Sequence, residues 1–183
     1  MARAAYTFNG QDSMLYDGAM SRIQAVQNLG DAYVYGVQGG IELIIYKGFS
    51  LFSSISYQKG EELSIDSSAY FPKSHVAPIF GRTALRYKQR KMRFELYAVY
   101  HGEMSNEDLP LNERDDHVYA LDENGQAYTP SWYTLNFKAS YFFNKHLSMN
   151  FGLENMTNQL YRTYGSGISA PGLNVITSLK GTF

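Results

Sequence analysis

Side chains that could act as nucleophiles, bases or metal ligands are few in this chain and poorly spaced for chemistry. It contains no cysteine, which excludes a thiolate nucleophile, a disulfide framework and Cys-based zinc or iron–sulfur sites. The four histidines, His75, His101, His117 and His146, are too far apart in sequence to form a helical metal pair. Ser166 lies in Gly165-Ser166-Gly167, without the strand-to-helix setting of a nucleophile elbow, and no ordered triad accompanies it. Enzymatic activity has no support, and no cofactor is expected. Residues 103–130 hold Glu103, Glu107, Asp108, Glu113, Asp115, Asp116, Asp122 and Glu123 against the single base Arg114. Within this stretch Asp115-Asp116-His117 offers oxygen and imidazole ligands suited to a cation. No EF-hand spacing surrounds them, and a solvated acidic loop accounts for the same residues.

Binding chemistry is better represented. Tyr119, Tyr128 and Trp132 fall in or beside the acidic stretch, where they could stack on an incoming ligand; Trp132 equally suits an aromatic girdle at a membrane boundary. Arg82, Arg86, Glu95, Lys138 and Asn150 sit on polar strand faces, available either to a ligand or to pairing with neighbours across strands. Six bases between Arg82 and Arg93 superficially resemble a nucleic-acid patch, but they follow one strand face and its turn. With 16 basic and 17 acidic residues, a net charge of −1 and a pI near 6.4, nucleic acid is not an expected partner.

The elements that must position these groups are strands. From Leu147 to Asn155, Leu147, Met149, Phe151 and Leu153 alternate with Ser148, Asn150, Gly152 and Glu154, the period of a strand with one apolar and one polar face. Tyr133, Leu135, Phe137, Ala139, Tyr141 and Phe143 alternate in the same way, with only Asn144-Lys145-His146 between the two runs, which predicts a hairpin. The same reading places strands near 2–9, 32–46, 49–58, 77–88, 92–102 and 172–183. Eight strands and no helix result.

Connections between the strands alternate in length. Tyr46-Lys47-Gly48, Gln89-Arg90-Lys91 and Asn144-Lys145-His146 are short, whereas 17–30, 59–76, 103–130 and 157–171 are long. Unstructured connections above about 12 to 15 residues are uncommon in compact domains. In an outer-membrane β-barrel the alternation is expected, because periplasmic turns are short and extracellular loops long. The longest apolar run, Leu96 to Tyr100, is far below the roughly 20 residues of a membrane-spanning helix. Aromatic residues collect near both strand ends, Tyr46, Phe49, Tyr87, Tyr141 and Phe143 by the short turns and Tyr57, Tyr100 and Tyr133 by the long loops, as two interfacial belts require. A charge facing lipid at mid-bilayer costs about 2 to 4 kcal/mol, so Arg82, Arg86, Glu95 and Lys138 are expected on the lumen face.

Gly152-Leu153-Glu154-Asn155, then Tyr161, then Pro171-Gly172 ahead of a last alternating strand ending in Phe183, resembles the C-terminal signature of TonB-dependent outer-membrane receptors. Tyr35-Gly36-Val37 and Pro78 are similar to weaker family marks earlier in the barrel. The resemblance implies an all-β, antiparallel, up-and-down transmembrane segment of about eight strands from a barrel of about 22, with the plug domain and earlier strands absent, so that residues 1–183 form a C-terminal barrel fragment. It further implies a Gram-negative outer membrane, uptake of a ferric siderophore, haem or cobalamin, coupling to TonB through the missing N-terminal part, contact with outer-membrane lipid, and recognition of Phe183 by the barrel-assembly machinery. On this reading residues 2–9 do not pair with 172–183. Two alternatives stay open on the residues alone: a self-contained eight-stranded membrane barrel, and a soluble β-sandwich or lipocalin-like binding module.

Overall fold

The computed structural model describes residues 2–27, 31–63, 69–114 and 117–183. It divides into two units, Met1–Tyr33 with Glu61–Phe71, and Val34–Gly60 with Pro72–Phe183. In chain order the strands are β1 (Ala2–Ala5), β2 (Ser13–Tyr16), β3 (Ala19–Arg22), β4 (Gln24–Gln27), β5 (Ala32–Tyr46), β6 (Phe49–Leu63), β7 (Tyr70–Pro72), β8 (Phe80–Gln89), β9 (Met92–His101), β10 (Ala120–Leu121), β11 (Ala127–Tyr128), β12 (Trp132–Phe142), β13 (Leu147–Glu154) and β14 (Asn174–Gly181). The described residues contain no α-helix.

One sheet carries the seven long strands in the order β14-β13-β12-β9-β8-β6-β5, with β7 also paired to β6. Each expected short connection is a tight reversal. Gly48 has φ +91°, a conformation open to glycine, and its carbonyl accepts from the Lys88 N–H at 2.8 Å. Asn144 Oδ1 accepts from the backbone N–H of His146 and Leu147 at 2.8 and 2.9 Å, which closes the β12–β13 turn.

The first 27 residues depart from expectation. Strand 2–9 is shorter, and it pairs with β4 rather than with the main sheet, Ala2 opposite Gln27 and Ala5 opposite Gln24. Residues 17–27, expected as loop, continue a hairpin: Leu15 faces Met20 and Tyr16 faces Ala19 across Asp17-Gly18. Those two residues have φ of 50° and 80°, the two positive values a type I′ turn demands. At the other end of the chain β14 pairs with β13, Leu147 opposite Gly181 and Glu154 opposite Asn174.

Register determines the two faces of the sheet. Leu51, Leu85, Leu96, Phe137, Leu153 and Val175 are successive cross-strand partners, forming one apolar row over six strands. Ser50, Arg86, Glu95, Lys138 and Gly152 are the partners on the opposite face. The apolar row is the more exposed: Leu85 and Leu96 are 42% and 41% accessible, while Asn136 on the polar face is 4% accessible. A water-soluble sheet buries its apolar face. Here the apolar row is the exposed side and the buried Ala84 and Tyr97 lie on the polar face, the reverse of what a soluble sandwich requires. Tyr57, Tyr100 and Tyr133 share the outer face near the long connections, and Phe49, Tyr87 and Tyr141 share it near the short turns.

Gly81 permits one close approach on that outer face. It is the cross-strand partner of Tyr100, whose ring lies over it and whose hydroxyl donates to the Ser54 carbonyl at 3.3 Å. A Cβ at Gly81 would meet Ser54 O at 2.5 Å and the Tyr100 ring at 2.6 Å, whereas at Gly40 the nearest atom is 3.6 Å away. Gly81→Ala should therefore lower unfolding stability in detergent by about 1 to 3 kcal/mol, read as a fall in the urea midpoint. Gly40→Ala should leave the midpoint essentially unchanged; equal losses at both positions would contradict this packing.

Candidate functional site

On the inner, polar face the predicted charges come together. Glu95 accepts from Arg86 Nε at 2.8 Å and pairs with Arg82 at 3.1 Å, and Arg86 also reaches Glu42 at 3.2 Å. Tyr97 lies between two cations, with the Arg82 guanidinium 4.3 Å and Lys138 Nζ 5.1 Å from its ring centre. Lys138 approaches Glu154 at 4.0 Å. Arg82, Arg86 and Glu95 thus satisfy one another as a cross-strand ladder. Asn150 stands apart from them, bridging Ser140 Oγ and Ser178 Oγ at 2.8 and 3.1 Å.

At the long-connection end the inner face becomes aromatic. Phe80, His101 and Trp132 are consecutive cross-strand neighbours, with ring centres 6.4 and 5.5 Å apart. Tyr161, from the segment after β13, packs on Trp132 at 4.1 Å. Trp132 is therefore an inner-face residue rather than a girdle residue, and His101 and Tyr161 occupy its ring, leaving little of it for a ligand to stack on.

Two connections fold over this end. The described residues between β9 and β12 form 3-10 turns at Asn106–Asp108 and Leu111–Glu113 and the small β10–β11 hairpin, whose tip is fixed by Asp122 Oδ1 accepting from Asn124 and Gln126 N–H at 2.8 and 2.7 Å. Glu103, Glu107, Asp108 and Glu123 are exposed, as a solvated acidic stretch requires, but beneath them the connection is folded: Met104, Leu109 and Ala127 are buried together against Tyr119 and Tyr164. Arg114, the one base of this stretch, donates to the carbonyls of Leu109 and Glu107 at 3.2 and 3.0 Å. Asp115 and Asp116 lie outside the described residues, and His117 lines the cavity described below. Among the described residues no cluster of histidines and acids could hold a metal.

The second connection, 155–173, is organised by Asn155, which is 3% accessible and has φ 50°. Its N–H donates to Asn136 Oδ1 at 2.9 Å, its Nδ2 donates to the carbonyls of Gln159 and Pro171 at 2.8 and 3.0 Å, and its Oδ1 accepts from the Gln159 N–H at 2.9 Å. Asn158 Oδ1 then accepts from the Leu173 N–H at 3.1 Å and occupies the space a Cβ at Gly172 would need. Arg162 joins the two connections by donating to the Val118 carbonyl at 3.0 Å.

Between them lies a cavity of about 410 Å³ that gathers Tyr119, Tyr128 and Trp132, three of the predicted binding residues, with Tyr161, Arg162 and Tyr164, which sequence reasoning did not place there. Among its described lining residues Arg162 is the only ion, and no carboxylate faces inward despite the acidity of the neighbouring stretch. The Tyr119 hydroxyl donates to Glu113. Burial, and then the nearby Glu113 charge, push the Tyr164 phenol from 10.0 up to about 12. Phe183, at the far end, is fully exposed with its ring 3.6 Å from the Cβ position of Gly181.

The raised Tyr164 pKa sets a pH window. In an unfolded chain this phenol ionises near 10, while in the folded connection it keeps its proton to about 12. Its packing contribution is intact below about pH 10 and is lost as pH rises to about 12. The ultraviolet difference spectrum between the parent chain and Tyr164→Phe should show one tyrosinate forming near the upper value. A difference step near 10 would contradict the buried placement.

No family model and no curated protein matches the chain. Solved structures do. The copper transporter OprC superposes with a TM-score of 0.65 at 13% identity, over 90% of this chain and 24% of its own length. A structure of the ferric enterobactin receptor PfeA from Pseudomonas aeruginosa gives 0.65 at 16% identity, and another of that receptor in complex with enterobactin gives 0.64 at 18%; each covers 92% of this chain and 25% of the receptor. The chain thus spans about a quarter of the length of the proteins it matches. With its antiparallel order, its outward apolar row and its inward charges, the chain has the fold of the β-barrel portion of TonB-dependent receptors.

Proposed function

We propose that the chain is the barrel portion of an outer-membrane, TonB-dependent receptor that imports a scarce small molecule such as a ferric siderophore, haem or cobalamin. The observation that carries the reading is the reversed sheet, apolar outward and charged inward, capped at one end by an aromatic cavity. A sheet of that kind suits a wall between lipid and a polar lumen. The cavity, with Arg162 and no described carboxylate, suits a neutral or anionic ligand better than a free cation. On this reading Tyr119, Tyr128 and Tyr161 contribute ring surface to the ligand, and Trp132 holds Tyr161 in place. Arg82, Arg86, Glu95, Lys138 and Asn150 line the lumen, where they would meet the ligand on its way inward or the plug domain of the longer protein. Energy coupling would come through TonB by way of that plug. Phe183 would serve insertion by the barrel-assembly machinery.

The two neighbours named above are a copper transporter and a ferric enterobactin receptor, and at the identities observed they do not select a ligand for this chain. Tyr128→Ala, made in the whole receptor, should reduce uptake of a ferric siderophore about tenfold, corresponding to roughly 1.4 kcal/mol of lost contact. The amount of receptor in the outer membrane should not change. Unchanged uptake would remove the cavity from the transport path, and recovery of the protein in the soluble fraction would contradict the membrane reading itself.

A further inference from the structure

The inner face carries more cations than its own acids answer. Glu95 is engaged by Arg82 and Arg86, Glu42 by Arg86, and Glu154 by Lys138. Closer to the short turns, Lys88 and Arg93 are direct cross-strand partners. They lie on the polar face, since each is two residues from a member of the Arg86–Glu95 pair. Among the described residues neither forms an ion pair. Like charges placed directly opposite each other destabilise a strand pair, so this pair opposes folding unless an anion lies between them. Arg93 is also oriented, its guanidinium resting 4.8 Å from the centre of the Phe142 ring. Both cations line a hollow of about 440 Å³, together with Arg86 and Lys138 and against only Glu42 and Glu95.

The geometry points to an oxyanion site at Lys88 and Arg93, for a dianion of the phosphate class. Arg93 presents a planar fork suited to two oxygens of one anion, and Lys88 supplies a point charge from the neighbouring strand. Two unanswered positive charges match a dianion better than a single carboxylate. The site is separate from the aromatic cavity, and it does not depend on what the receptor carries.

The test uses the whole receptor in non-ionic detergent, comparing millimolar phosphate with chloride at matched ionic strength. Phosphate should raise the thermal midpoint of the parent receptor above its value in chloride, because a ligand that binds only the folded state stabilises it. Lys88→Gln and Arg93→Glu should weaken phosphate binding at least about tenfold by titration calorimetry, while Lys180→Gln, elsewhere on the polar face, should not. Arg93→Glu also places an acid opposite Lys88, so in chloride this variant should unfold at a higher temperature than the parent. That gain separates loss of the site from loss of the fold. A parent receptor that responds to phosphate no more than to chloride would overturn the proposal, as would an Arg93→Glu variant that binds phosphate as the parent does. Equal binding of acetate at the same concentration would overturn the assignment to a dianion.

Discussion

Cross-strand register is the constraint on which the other features depend, because side chains alternate between faces with a period of two. Sliding β9 by one residue against β8 and β12 would carry Glu95 and Tyr97 outward and bring Leu96 onto the charged face. It would part Glu95 from Arg82 and Arg86, remove Tyr97 from between Arg82 and Lys138, and interrupt the apolar row that joins Leu85 to Phe137. Uncompensated charges on an outward face are costly in lipid, and buried unpaired charges are costly anywhere. The tight reversals at Lys47-Gly48, Arg90-Lys91 and Asn144–His146 hold this register, and the ion pairs and aromatic row secure it at the centre and at the far end.

From that register the loop end inherits its geometry. Asn136 is on the inner face only because β12 is in phase, and its carboxamide oxygen receives the Asn155 N–H just beyond the end of β13. Asn155 in turn shapes the connection that delivers Tyr161 to Trp132 and Arg162 to Val118. Gly152-Leu153-Glu154-Asn155 and Pro171-Gly172 are thus parts of one hydrogen-bonded assembly. The Pro171 carbonyl accepts from Asn155, and Gly172 leaves room for Asn158. Their local chemistry explains why a carboxamide, a turn and a residue without Cβ are needed at those positions.

Much of the sheet was legible in the sequence because each long strand has one apolar and one polar face, and alternation survives wherever the two faces meet different surroundings. The first hairpin was missed for the corresponding reason. In Ser13–Tyr16 and Ala19–Arg22, Met14, Leu15, Tyr16 and Met20 fall on both faces and erase the period, although Asp17-Gly18 marked the turn. The candidate site was legible only in part. Tyr119, Tyr128 and Trp132 are close in sequence and stay close in space, but Tyr161, Arg162 and Tyr164 arrive from a connection on the far side of β13, which composition cannot reveal. Packing Met104, Leu109 and Ala127 beneath an acidic surface likewise hid a folded element behind a polar composition.

The reversed sheet can be tested directly because the chain has no cysteine to remove. Single cysteines at Leu85, Arg86, Glu95 and Leu96, each carrying a nitroxide label, would report local solvent in the membrane-inserted protein by electron paramagnetic resonance. The labels at Leu85 and Leu96 should be relaxed mainly by oxygen, which concentrates in lipid, and those at Arg86 and Glu95 mainly by a water-soluble nickel complex. Alternation of that kind on both strands would place the apolar row against lipid and the ion pairs against a polar lumen. Oxygen accessibility that did not alternate, or that was higher at Arg86 and Glu95, would contradict the assignment of the faces.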